Sequence, residues 1–89
     1  MKQITLNGKK MTDKESAHKY IASKLGFPEY YGKNLDALAD CISEFCLDKY
    51  IRFNHFDEAE KNLGEYASSI LEVFKDTAES SSRIKFKVI

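Results

Sequence analysis

Tyr50-Ile51-Arg52-Phe53 decides how this chain folds: Tyr50, Ile51 and Phe53, aromatic and β-branched in a run too short for a helix, read as a short apolar strand. Helical periodicity flanks it on both sides. Upstream, Asn34 supplies an N-terminal cap for Leu35, Leu38, Ile42 and Phe45, which recur on one face of a helix. Downstream, Asn54 is placed to cap a brief helix through Phe56, Ala59 and Leu63 that stops at Gly64. A longer helix from about Glu65 to Glu79 then turns Ala67, Ile70, Leu71, Phe74 and Ala78 inward. A strand enclosed by helices in this way belongs to a parallel sheet built from helical crossovers.

The two ends of the chain supply its partners. Ile4 and Leu6 alternate with Gln3 and Thr5, so residues 2–6 read as a strand closed by the turn Asn7-Gly8. Thr12 with Glu15 has the spacing of a capping box before a helix through Ala17, Tyr20, Ile21 and Leu25, ending near Gly26. Phe27-Pro28 forces an extended link, and Tyr30-Tyr31-Gly32 forms the loop before Asn34. After Ser80-Ser81-Ser82, Ile84, Phe86 and Val88 alternate with Lys85 and Lys87, a strand with one wet face. The expected fold is α/β, a three-stranded parallel sheet with four helices on one side, in two layers.

Eighty-nine residues allow one domain, 1–89. No apolar run has the length of a membrane span, and the N-terminus leads directly into strand-like residues, so insertion and secretion are disfavoured. Cys41 and Cys46 lie within a helical pattern where their side chains diverge, which favours reduced thiols and a cytoplasmic setting. Zero net charge conceals a segregation: residues 1–28 carry six Lys against two acids, residues 29–80 five basic residues against twelve acids, and residues 81–89 three basic residues. The acidic middle repels phosphate backbones and favours a basic protein partner over nucleic acid.

At about 100° per residue, Asp36, Asp40 and Glu44 share one stripe opposite the apolar face of their helix. Like charges at i,i+4 cost roughly 0.2–0.5 kcal/mol per pair, and no Lys or Arg within the helix offsets them. Asp36 has a local reason, since it lies in the first turn at the positive end of the helix dipole. Asp40 and Glu44 have none, which marks the stripe as a candidate binding surface. Glu72, Asp76 and Glu79 repeat the theme on the last helix, where Lys75 partly neutralises them.

Catalysis finds little support. A glycosidase-type carboxylate pair needs a cleft and one acid with a raised pKa, whereas these acids belong to a small convex domain. His18 and His55 stand without a recognisable nucleophile motif and read as surface or helix-end residues. The three carboxylates lack the loop geometry of Ca²⁺ sites, and the four glycines form no phosphate-cradling pattern, so no metal or cofactor is expected.

The runs Pro28-Glu29-Tyr30-Tyr31-Gly32, Asn34-Leu35-Asp36-Ala37-Leu38 and Asp40-Cys41 resemble the barstar family of intracellular ribonuclease inhibitors. Asn7-Gly8, Leu71 and Val73-Phe74 extend the likeness over essentially the whole chain. The resemblance implies a barstar-like fold whose second helix and preceding loop plug a ribonuclease active site. It implies that the Asp40 carboxylate takes the place of a substrate phosphate. Tyr30, Asn34, Leu35 and Asp36 would line the contact, with Ala39, Glu44 and Phe45 on the same helix and Val73 and Asp76 extending it from the last helix. The implied partner is a small basic extracellular-type ribonuclease, bound one to one by a protein that is monomeric when free. Ala39 replaces a large aromatic of the family, Glu44 a Gly, Asp76 a Glu and Ser80 an acid, differences that bear on which nuclease is recognised. The alternative from the residues alone is a general acidic interaction or immunity module for another basic protein.

Overall fold

The computed structural model describes residues 1–89, with strand β1 at Lys2–Asn7, helix α1 at Lys14–Leu25 and helix α2 at Leu35–Phe45. They are followed by strand β2 at Lys49–Asn54, helices α3 at Phe56–Leu63 and α4 at Glu65–Glu79, and strand β3 at Ile84–Val88. All strand pairing is parallel, in the order β1-β2-β3, so Tyr50-Ile51-Arg52-Phe53 lies on the central strand. The fold is the expected α/β arrangement of three parallel strands and four helices.

Register explains the layering. Ile4 pairs with Ile51 and Leu6 with Phe53, and these four residues with Ile84 are buried beneath the helices. Tyr50 and Arg52 pair across β3 with Lys85 and Lys87, and that opposite face stays half-buried or exposed. The sheet is thus apolar on one side only, and the molecule measures 31 × 29 × 19 Å, its short dimension being that of two layers. Phe53, Phe74 and Phe86 bind the sheet to α4, Phe74 stacking on Phe86 with ring centroids 5.1 Å apart.

Local chemistry sets the helix ends, in two places differently from the sequence expectation. Asp13, not Thr12, caps α1, its Oδ1 accepting from the Ser16 N–H at 2.8 Å. That bond to the charged form holds the Asp13 carboxyl below the usual carboxylate range. The position before α3 is His55 rather than Asn54, with φ of 55° and no side-chain cap, because residue 54 still belongs to the central strand. A 3₁₀ turn at Gly8–Lys10, read from sequence only as a turn, follows β1. A Cβ on Gly8 would collide with the His55 carbonyl, so glycine here permits the close approach of this turn to the start of α3.

Candidate functional site

Helix α2 begins as its sequence dictates. Asn34 is extended, its Oδ1 accepts from the Ala37 N–H at 2.8 Å, and Asp36 stands in the first turn. Leu38, Cys41 and Ile42 are buried, while Leu35 and Phe45 are half-buried at the rims of the apolar stripe. Asp36, Asp40 and Glu44 are all exposed, one turn apart on the outer surface, about 6 Å per step along the axis. None of the three takes part in a salt bridge; the two ion pairs of the molecule are Glu15 with Lys19 and Asp48 with Arg83. The stripe is therefore a line of free carboxylates.

The C-terminal end of α2 has a partner that the helix itself does not supply. The last turn of α2 contains no basic residue, yet Lys49 from β2 donates its Nζ to the Phe45 carbonyl oxygen at 2.7 Å. A cation is thereby placed at the negative end of the helix dipole. Cys41, between Asp40 and Glu44 in the chain, is buried, and its thiol pKa is raised by that burial and then by the two carboxylates. The raised pKa keeps it in the thiol form.

The loop before α2 divides its two tyrosines. Tyr30 is 81% exposed and Tyr31 is buried, although the sequence offers no basis for choosing between them. The Tyr31 N–H donates to the Pro28 carbonyl at 3.1 Å, closing a turn with Tyr30 at its outer side. Its ring lies 5.1 Å from Phe27, and Phe27 lies 6.2 Å from Phe45, so an aromatic cluster fastens the loop to the end of α2. Lys33 closes the loop with φ of 52°, the left-handed conformation that aims Asn34 into its cap.

Behind the loop lies the main departure from the sequence reading. His18 is no surface residue: it is 1% exposed, its Nδ1 is 2.6 Å from the Tyr31 hydroxyl and its Nε2 is 2.7 Å from the Tyr66 hydroxyl. His55, by contrast, is exposed at a helix end as expected. His18 precedes Ile21 by three residues and Leu25 by seven, on the apolar face of α1, and that spacing is the sequence signal for its burial; which hydroxyls satisfy the ring is set by long-range partners.

The sequence-derived residues fall into three groups. Tyr30, Asn34, Asp36, Asp40 and Glu44 are exposed along the loop and the outer surface of α2. Leu35, Ala39 and Phe45 are half-buried beside them, Leu35 and Phe45 also packing on the core. On α4, which packs against α2, Val73 is half-buried against the core and Asp76 is exposed. Glu79 belongs elsewhere, to a shallow open cleft beside Lys75, Lys85 and Lys87 between α4 and β3. The acids of α4 therefore do not form one uniform field.

A convex acidic helix, entered through a pinned aromatic loop, is supported by a two-layer α/β domain of three parallel strands and four helices. The barstar family, described as "Barstar (barnase inhibitor)", matches residues 1–89. The chain is also 36% identical over 90 residues to the Bacillus subtilis (strain 168) protein named "Putative ribonuclease inhibitor YrdF", covering 100% of this chain and 98% of that one. The chain belongs to the barstar family.

Proposed function

We propose that this protein is a stoichiometric inhibitor of a small basic secreted ribonuclease, and that α2 with its preceding loop occludes the active site. The observation that carries the proposal is the line of unpaired, exposed carboxylates Asp36, Asp40 and Glu44 on α2. An active site that binds an RNA phosphate must present cationic groups, and a carboxylate offered on a rigid helix can occupy the same position. Asp40 is central in the stripe, has no capping role and makes no internal hydrogen bond, so its carboxylate is free to meet those cations. Tyr30 adds an aromatic contact at low entropic cost, since a side chain with two rotatable torsions is already held on a closed turn. Family membership and the relative's name support the same role.

Ala39 and Glu44, where the family has a large aromatic and a Gly, favour a nuclease other than barnase. The inhibitor works in the cytoplasm, where any copy of the nuclease not yet secreted would attack cellular RNA. The test is titration of the purified protein against the nuclease encoded beside it or captured with it, with RNA as substrate. Cleavage should fall linearly and vanish at one equivalent. Cleavage unchanged at excess inhibitor refutes the proposal for that nuclease.

A further inference from the structure

We propose that His18 is the positioning residue of the inhibitory loop: its imidazole, bridging the Tyr31 and Tyr66 hydroxyls, holds in place the turn that presents Tyr30 and opens α2. This rests on the proposed role of the loop and α2, and goes beyond it by assigning the device that shapes the contact surface. Three elements meet at the imidazole: α1 carries it, the loop supplies Tyr31, and the first turn of α4 supplies Tyr66. A neutral imidazole has one N–H donor and one acceptor nitrogen. One tyrosine must therefore donate its O–H to the ring while the other accepts the ring N–H, and the chain of hydrogen bonds is complete in either tautomer.

The same geometry makes the bridge sensitive to protonation. In the imidazolium both nitrogens donate, so the tyrosine that was donating must turn its hydrogen away. For Tyr31 that leaves a buried hydroxyl hydrogen needing a new acceptor. The ionisable groups around the cluster are Tyr31 from the loop, Tyr66 from α4, Cys41 from α2 and Lys14 from α1, whose Nζ stands 4.7 Å over the Tyr66 ring. No carboxylate acts on His18 itself: Asp40 and Glu44 of α2 act on Cys41, Glu29 shares a surface hollow with Tyr31, Lys19 and Lys33, and Glu15 pairs with Lys19 on the solvent side. Nothing balances a charge on His18, and burial lowers its pKa from the usual histidine value. Burial assigns the donor: the buried Tyr31 hydroxyl has no acceptor other than His18 Nδ1, whereas the half-buried Tyr66 hydroxyl can accept from Nε2–H and turn its own hydrogen to solvent. Protonation of Nδ1 should therefore loosen the Tyr31 anchor, and Tyr30 and the Asn34 cap with it.

Amide hydrogen exchange of residues 30–34, corrected for intrinsic rates and read against α4, tests the device without any nuclease. Across the pH range in which NMR shows the His18 ring titrating, the loop amides of the wild type should lose protection at least tenfold more than those of α4. Tyr31→Phe, which keeps the ring and removes only the hydroxyl, should show the loosened loop at pH 7. His18→Gln, with a donor and an acceptor but no titration, should have a flat profile. If His18→Gln does not fold, Tyr66→Phe replaces it and should weaken the pH response of the loop. A wild-type loop whose protection does not follow His18, or a Tyr31→Phe loop as protected as wild type, overturns the proposal. Nuclease inhibition measured on the same variants should fall with loop protection. If no nuclease is inhibited at all, the functional reading fails while the exchange data still decide the role of His18.

Discussion

Replacing Asp40 with Ala should stabilise the fold and abolish most of the binding. In the free protein Asp40 stands between Asp36 and Glu44 on an exposed helix face and makes no salt bridge. Removing it relieves two like-charge i,i+4 contacts, together about 0.4–1 kcal/mol. Alanine adds up to roughly 0.7 kcal/mol of helix propensity over Asp. For a domain of this size each kcal/mol moves the melting temperature by about 4–8 °C, so Asp40→Ala should melt roughly 5 °C or more above wild type at low salt. The gain should shrink in high salt, where exposed charges are screened. Binding should move the other way. Truncating one partner of a desolvated charge pair costs about 2–5 kcal/mol, a general range to which the barnase–barstar pair has itself contributed. By the relation of about 1.4 kcal/mol per tenfold, the dissociation constant should rise roughly 30- to several-thousand-fold, mainly through faster dissociation. Thermal melts and surface-binding kinetics on Asp40→Ala, with Lys24→Ala on α1 as the control, read both effects. A variant that binds like wild type, or loses binding only because it has unfolded, would show that the stripe is a solvated face and no more.

Association with the nuclease should slow as salt rises, because free carboxylates at the surface steer a basic partner within a screening length of about 8 Å at physiological ionic strength; stopped-flow rates independent of salt would contradict this. Gly26→Ala should destabilise by about 1 kcal/mol in denaturant melts, since φ is 74° with open space around the new methyl, leaving only the left-handed backbone cost. Gly8→Ala should cost more, because its methyl meets the backbone of His55; equal losses at the two positions would remove the distinction. Burial raises the Cys41 thiol pKa and pushes that of Cys46 up to about 11, so at pH 8 both should react with a disulfide reagent far more slowly than in the unfolded chain. His18 has its pKa lowered in the folded state, so its contribution to stability is complete above the ordinary histidine pKa near 6.5 and is lost as pH falls from there through the folded value. Denaturant melts from pH 8 to pH 5 on wild type and His18→Gln check this by their difference.

The order of elements and the face of α2 were legible in the chain because both are written in local patterns. Helix α4 spans Glu65–Glu79, the range its 3.6-residue periodicity marks, and Asn34 caps α2 as its position before Leu35 requires. The exposure of Asp36, Asp40 and Glu44 follows from the same periodicity, since an apolar stripe that is buried leaves the opposite stripe outside. Tertiary structure decided what depends on residues far apart in sequence. The placement of β2 between its neighbours, the choice of Tyr31 over Tyr30 for the interior, and the pairing of His18 with hydroxyls 13 and 48 positions away each need contacts that close long loops. A periodicity records which side of an element is apolar; it carries no record of which distant polar group will satisfy a buried one. Hydrogen bonding in the assembled core makes that choice, because a buried imidazole or hydroxyl left without a partner costs about 1–3 kcal/mol.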